Sequence, residues 1–184
     1  PTGAKFGERV RSKPKRRPMQ RMTLDDALAT LRRMLKESEY CFFLTHGEGG
    51  EIQARLMQPF TPEPDFTLWF GAAPSSRKVK EIKKNANGTI SIMNPKNAGY
   101  ASFVGTLTVV NDPEKKAQYW RADWTDLYPG GPDADDYVLI KFTPSRIEMM
   151  DFFNETQGRP YALKPVGLEK SGSGWKLIED VSKL

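Results

Sequence analysis

Apolar positions recur along this chain with two different periods. Leu24, Ala27, Leu28, Leu31, Met34 and Leu35 fall three or four residues apart, which predicts an amphipathic helix over 24–37. Thr23 stands where an N-cap belongs. Asp25 and Asp26 follow in the first turn, where the helix dipole favours negative charge. Beyond this helix the period shortens towards two. Tyr40–Thr45 and Glu51–Pro59 read as strands joined by the turn-rich His46-Gly47-Glu48-Gly49-Gly50, and Phe66–Phe70 as a third strand behind a Pro-rich loop. Ser75 or Ser76 can cap a second helix running through Lys84, which Asn85 to Gly88 stops.

Thr89–Met93 reads as a short strand and Tyr100–Val110 as a longer one, interrupted at Gly105 by a bulge or sharp bend. Asp112-Pro113 opens a third helix, with Asp at the cap and Pro at the first helical position. That helix is expected to run towards Trp120 or Trp124, ahead of the loop Tyr128-Pro129-Gly130-Gly131-Pro132. Tyr137–Phe142 and Arg146–Phe152 read as two closing strands around a turn at Thr143-Pro144-Ser145. The strands fall in runs, without the strict helix–strand alternation of a parallel sheet. The class is therefore mainly β with flanking helices (α+β), built on about six to seven antiparallel strands in a barrel. Residues 160–184 are polar and Gly-rich around an apolar island at Trp175, Leu177 and Ile178, and the pattern does not place them.

Charge changes the picture at one end. The chain of 184 residues carries a net +5, but residues 1–21 hold eight basic side chains against Glu8, a surplus of seven. The remainder is thus slightly acidic, and the body lacks the basic surface of a nucleic-acid-binding domain. Nucleic acid or another acidic partner is expected only through the arm, if at all. One cysteine, Cys41, sits in an apolar run, excludes an internal disulfide and reads as a small buried hydrophobe. No apolar run approaches a membrane span and no signal-peptide pattern opens the chain, so a soluble, cytoplasmic protein without membrane contact is expected. One His and one Cys supply no zinc set, and Asp133, Asp135 and Asp136 lack the calcium-loop pattern, so no metal site is expected.

The stretch with most chemistry is Phe70-Gly71-Ala72-Ala73-Pro74-Ser75-Ser76-Arg77-Lys78. A strand ends, a small-residue turn follows, and two hydroxyls and two cations meet a helix start. Helix N-termini attract anions, and Ser with Lys or Arg suits a phosphate. An ordinary Ser cap with solvated cations fits the same residues. Arg55 lies in the extended Gln53-Ala54-Arg55-Leu56-Met57-Gln58-Pro59, sharing a face with Met57 and opposing Leu56. It can point into a cleft, where it would serve a phosphate or a flavin carbonyl, or onto a solvated face.

These segments, taken in order, resemble the FMN-binding split-barrel family of pyridoxamine 5'-phosphate oxidase-like proteins, in its general stress protein branch. The resemblance covers about residues 23–153. It rests on Arg55-Leu56-Met57, Thr67-Leu68-Trp69-Phe70, Ser76-Arg77-Lys78-Val79-Lys80-Glu81-Ile82 and Tyr100-Ala101-Ser102-Phe103-Val104-Gly105-Thr106-Leu107. Asp112 with Trp120, Tyr128-Pro129-Gly130-Gly131, and the strands Val138–Phe142 and Ile147–Asp151 complete it. It implies a split β-barrel over 23–158, between a basic N-terminal arm at 1–22 and a C-terminal extension at 159–184. It also implies a homodimer with FMN sites at the subunit interface. The FMN phosphate would lie near Arg55, Ser75, Ser76 and Lys78. The main chain around Leu56, Met57 and Gln58, and around Trp69, Phe70 and Gly71, would flank the ring system. Trp120, and less directly Trp124 or Tyr128, would reach the flavin from the partner subunit unless they pack in the core.

The function implied is that of an FMN-binding flavoprotein, a flavin-dependent oxidoreductase or redox stress protein using a small-molecule electron donor or substrate. The flavin would carry the chemistry while the protein supplies orientation and charge. The alternatives are a non-enzymatic split-barrel module for another flavin, a deazaflavin or haem, and arm-mediated binding of an acidic partner. True pyridoxamine-phosphate oxidases carry an Arg and His pair near the C-terminus. Here Gly158-Arg159-Pro160-Tyr161 has no His beside it and the single histidine is His46, so that activity is not expected. His46 reads as an exposed turn residue.

Overall fold

The computed structural model describes residues 22–94, 98–151 and 165–181. Helix α1 (Leu24–Glu37) begins at Thr23, whose hydroxyl accepts from the Asp26 N–H at 3.2 Å. Its stripe of Ala27, Leu31, Met34 and Leu35 is buried, as the periodicity requires. Strands β1 (Cys41–His46), β2 (Ile52–Met57) and β3 (Leu68–Ala72) follow, then α2 (Arg77–Lys84), β4 (Asn87–Asn94) and β5 (Gly99–Val110). Helix α3 (Pro113–Gln118) is capped by Asp112, and the long β6 (Val138–Asp151) leads to β7 (Val166–Ser171) and β8 (Gly174–Ile178).

The eight strands form one antiparallel sheet in the order β2-β1-β4-β5-β6-β7-β8, with β3 added to β6, and the sheet does not close on itself. Its centre is the β5–β6 ladder, which runs from Gly99↔Asp151 to Val110↔Leu139. The ladder's register shifts between Val104 and Gly105, the interruption expected in that strand. Gly105 faces Pro144, and a Cβ there would lie 2.2 Å from the Thr143 carbonyl oxygen, so only glycine fits.

Several expectations are corrected. Thr143-Pro144-Ser145 is a bulge inside β6 and not a turn between two strands. Ser145 drops out of register and its hydroxyl donates to the Val104 carbonyl at 3.2 Å, so the strand bends without reversing. Phe66 is not in a strand: its φ of 69° is left-handed, and β3 starts two residues later. Helix α3 stops at Gln118, before Trp120, and a separate 3₁₀ turn holds Ala122–Trp124. His46 ends β1, paired with Ile52 and half-buried, and is no exposed turn residue. The strand total is eight because the C-terminal island forms the β7–β8 hairpin, which joins the sheet through β6. Most of the basic arm, the end of the predicted strand at Phe152, and Gly158-Arg159-Pro160-Tyr161 lie outside the described residues.

Two apolar clusters hold the molecule. The larger lies under α1 and α2, around Leu31, Met34, Phe43, Phe70, Phe103, Phe142 and Ile147. The smaller is aromatic and packs Trp69, Tyr119 and Tyr137 with Phe60, Trp120, Trp124 and Tyr128. Cys41 is buried, and burial pushes its thiol pKa up to about 12, so it behaves as a hydrophobe. No helix among the described residues is long and apolar enough to cross a membrane.

The hairpin's share of the core is testable. Trp175 is buried edge-on against Phe66 with ring centroids 6.0 Å apart, and the Lys170 ammonium lies 4.9 Å from its ring centroid. Trp175→Ala should destabilise the fold by about 3 kcal/mol. The measurement is urea unfolding, with a lower midpoint at an unchanged slope.

Candidate functional site

The turn after β3 delivers Ser76 to the N-cap position of α2, with backbone φ −63° and ψ 149°, yet its hydroxyl makes no capping bond. The Oγ is buried and has no hydrogen-bond partner among the described residues. The first N–H groups of a helix have no intrahelical acceptor, so the turn presents donors from both side chain and backbone. Lys78 follows, half-buried. Burial first, and then the neighbouring Arg55 cation, lower its pKa below the usual lysine value, against an opposing pull from Glu81. Ser75 stands exposed one residue before the cap.

Strand β2 brings Arg55 to the same place. The side chains of β2 alternate, with Ile52, Ala54 and Leu56 outside and Gln53, Arg55 and Met57 half-buried, so Arg55 and Met57 do share a face opposite Leu56. Arg55 donates through Nη1 to Thr45 Oγ1 at 2.7 Å and through Nη2 to Glu81 Oε2 at 2.7 Å. Thr45 closes the triangle by donating to Glu81 Oε2 at 2.6 Å. Arg77 reaches the other oxygen of Glu81 at 3.2 Å. Three cations (Arg55, Arg77 and Lys78) thus surround one carboxylate, leaving a positive surplus at the helix start.

The other expected residues are arranged differently. Trp69 and Phe70 are buried as whole residues, Phe70 in the main core and Trp69 in the aromatic cluster with its carbonyl accepting from the Phe60 N–H at 2.9 Å, so within this chain neither is open to a ligand. Trp69 stacks on Tyr119 at 4.9 Å and donates Nε1–H to Glu63 at 2.7 Å. Gly71 is required by this packing, since a Cβ there would lie 2.2 Å from Trp124 Cζ3. Trp120 is half-buried within its own chain, 5.4 Å from Tyr137 and 6.4 Å from both Trp124 and Tyr128. The Gln58 side chain accepts from Arg121, which also donates to the Pro59 carbonyl at 3.0 Å and covers Phe60. Leu56 is exposed and Met57 packs on the main core.

An open groove of about 650 Å³ lies between the end of α1 and the Pro-rich loop, lined by Arg32, Lys36, Gln58, Phe60, Glu63 and Phe66 among others. Its walls include neither Arg55 nor the Ser75–Lys78 turn, so it is a separate feature from the cationic cluster.

Thr45 and Glu81 are the residues missed in the sequence. The i, i+4 spacing of Arg77 and Glu81 was the one signal for the second. Nothing local marks Thr45, whose partner lies ten residues away on a neighbouring strand.

Among curated proteins none matches the chain. A solved structure from Clostridium acetobutylicum, a protein related to general stress protein 26 of B. subtilis (pyridoxinephosphate oxidase family), superposes with a TM-score of 0.67 at 20% identity. That match covers 80% of this chain and 96% of the other. A pyridoxamine 5'-phosphate oxidase-related, FMN binding protein from Nostoc punctiforme gives a TM-score of 0.60 at 14% identity over 84% and 95%. An F420 reductase gives 0.51 at 25% identity over 63% and 94%. The family model described as pyridoxamine 5'-phosphate oxidase like matches residues 26–157, most of the sheet together with the whole cationic cluster, and the chain belongs to that family.

Proposed function

We propose that the chain is an FMN-binding flavoprotein, a flavin-dependent oxidoreductase that seats the FMN phosphate at the start of α2. The observation that carries this reading is the buried, unpartnered Ser76 hydroxyl beside a surplus of positive charge. A buried hydroxyl without a partner costs about 1–3 kcal/mol, and a phosphate oxygen would remove that cost. Ser76 would donate to the phosphate, Lys78 and Arg55 would balance its charge, and Ser75 lies within the same turn. Main chain at Leu56–Gln58 and at Gly71 would flank the ring system, with Trp69 and Phe70 buried behind it. FMN, when bound, supplies the electron transfer; the residues named here bind and orient it.

The first measurement is the visible spectrum of the purified protein, repeated after FMN has been added and the excess removed. Retained flavin bands are expected. A protein that ignores FMN but retains a deazaflavin would replace the cofactor, and one that takes up neither would overturn the flavoprotein reading. Lys78→Met should weaken FMN about tenfold or more. The pH dependence has a definite sign. The Lys78 pKa is lowered in the free protein, and a bound phosphate would raise it again, so binding takes up a proton. Affinity should therefore fall as pH rises through the lowered lysine value. In Lys78→Met that fall should be absent.

The same reading includes a homodimer. Strand β2 is an edge of the sheet, and its outer face is apolar: Leu56 is 63% exposed and Ile52 57%, beside Phe42 at 49% on β1 and Met93 at 61% on β4. An exposed apolar face at a sheet edge needs a cover. A second copy would provide it and bring two cofactor sites together. Sedimentation should show a dimer for the wild-type chain and a monomer for Leu56→Asp. A wild-type monomer at micromolar concentration would refute the assembly.

A further inference from the structure

We propose that Glu81 is a positioning residue, whose buried carboxylate holds the Arg55 guanidinium in the orientation that discriminates a phosphate ester from its uncharged alcohol. This rests on the reading of the α2 turn as the FMN phosphate site and assigns the residue that makes it selective.

Glu81 is out of place in an anion site if charge alone matters. Its carboxylate is 5% exposed, it repels an incoming phosphate, and it neutralises one of the cations meant to attract it. Burying a carboxylate costs several kcal/mol unless strong donors surround it. Here they do: Arg55 Nη2, Thr45 Oγ1 and Arg77 Nε all reach it. The contacts are unequal. Arg77 is 68% exposed, so its ion pair is screened by solvent and holds little. Arg55 and Thr45 are the shielded partners, and with Glu81 they form a closed triangle of three hydrogen bonds.

That triangle fixes the plane of Arg55. Two of the five guanidinium N–H groups are committed, one to Thr45 and one to Glu81, and the rest remain for a ligand. An unrestrained arginine loses rotamer freedom when it binds a phosphate, whereas a guanidinium already clamped on two sides loses little. Glu81 therefore lowers the long-range attraction and improves the short-range fit. These two effects have opposite signs when its charge is removed.

The experiment exploits that opposition. FMN and riboflavin, which differ by the phosphate alone, are titrated into wild type, Glu81→Gln and Thr45→Val at one ionic strength, following quenching of flavin fluorescence. Wild type should prefer FMN. Glu81→Gln should bind FMN about tenfold more weakly in spite of the added positive charge. Thr45→Val, which leaves every charge in place, should change FMN in the same direction by a smaller factor. Riboflavin should stay within about twofold in both, since neither variant touches the ring.

Tighter or unchanged FMN binding in Glu81→Gln would overturn the proposal and leave Glu81 a plain electrostatic opponent. Equal weakening of both ligands would overturn it too, because a structural role alone has that signature. If Glu81→Gln does not fold, Thr45→Val decides by the same ratio. Failure of the underlying reading looks different: wild type would show no preference for FMN over riboflavin, whatever the variants do.

Discussion

The β5–β6 ladder is the constraint on which the other elements depend. It continues through the point where both strands bend, so β4 can pair on one side while β3 and β7 share successive halves of β6. The bend is made by local chemistry. Gly105 lacks the Cβ that would strike Thr143, Pro144 has no N–H to lose opposite it, and Ser145 leaves the register with its hydroxyl on Val104. The bulge stands between the segment of β6 that pairs β3 and the segment that pairs β7. Pairing of β3 with β6 anchors the turn from β3 into α2, and the cationic cluster sits on that turn.

Two buried carboxylates connect the helices to this sheet, and they do different work. Asp151 at the end of β6 is 1% exposed and paired with Arg33 of α1. Arg33 also bonds Glu37, whose carboxylate accepts from Asn94 at the end of β4 at 2.6 Å. That chain of contacts fastens α1 across the sheet, far in sequence from the cluster. Glu81 instead fastens α2 to β1 and β2 through Thr45 and Arg55, beside the cationic turn. Both obey the rule that a buried charge must be paired. Only the second pairs with a cation that stands beside the start of α2.

Much of this was legible in the chain, for reasons that differ by element. Helix α1 could be read because Thr23, two acids and an apolar stripe agree with one another. The interruption at Gly105 was legible because glycine in a strand has few other uses. Pro144 misled because proline between two apolar runs signals a turn, and only the facing strand shows that the run continues. Phe66 misled because a buried aromatic next to a strand reads as its first residue, and its left-handed φ leaves no trace in composition. The β7–β8 hairpin was obscured by its glycines and charges, since its buried apolar residues, Val166, Leu168 and Trp175, are few and gain meaning only against Phe66 and β6. At the site, Ser76, Lys78 and Arg55 were visible as residue types. The triangle through Thr45 and Glu81 was not, because it joins three elements and has no spacing of its own.

The aromatic residues show how side chains can fix the course of the chain leading to the cationic turn without standing in it. Trp69 is buried, stacked on Tyr119 and hydrogen-bonded to Glu63, which also accepts from the Tyr119 hydroxyl at 3.1 Å. Burial, with the Glu63 carboxylate second, raises that hydroxyl's pKa to about 12, so it stays a donor across the physiological range. Trp124 covers Gly71 from the same side, and Tyr137, in the same cluster, donates to the Tyr119 carbonyl at 2.8 Å. The stacking of Trp69 on Tyr119 and the hydrogen bonds of Trp69, Tyr119 and Tyr137 tie these rings to one another and to Glu63. What they determine is the path of the β3 main chain from Trp69 to Gly71, and that path sets where Ser76 begins α2. A substitution in this cluster would therefore act on the cationic site through backbone position, while Arg55, Lys78 and Glu81 act on it through charge and hydrogen bonds.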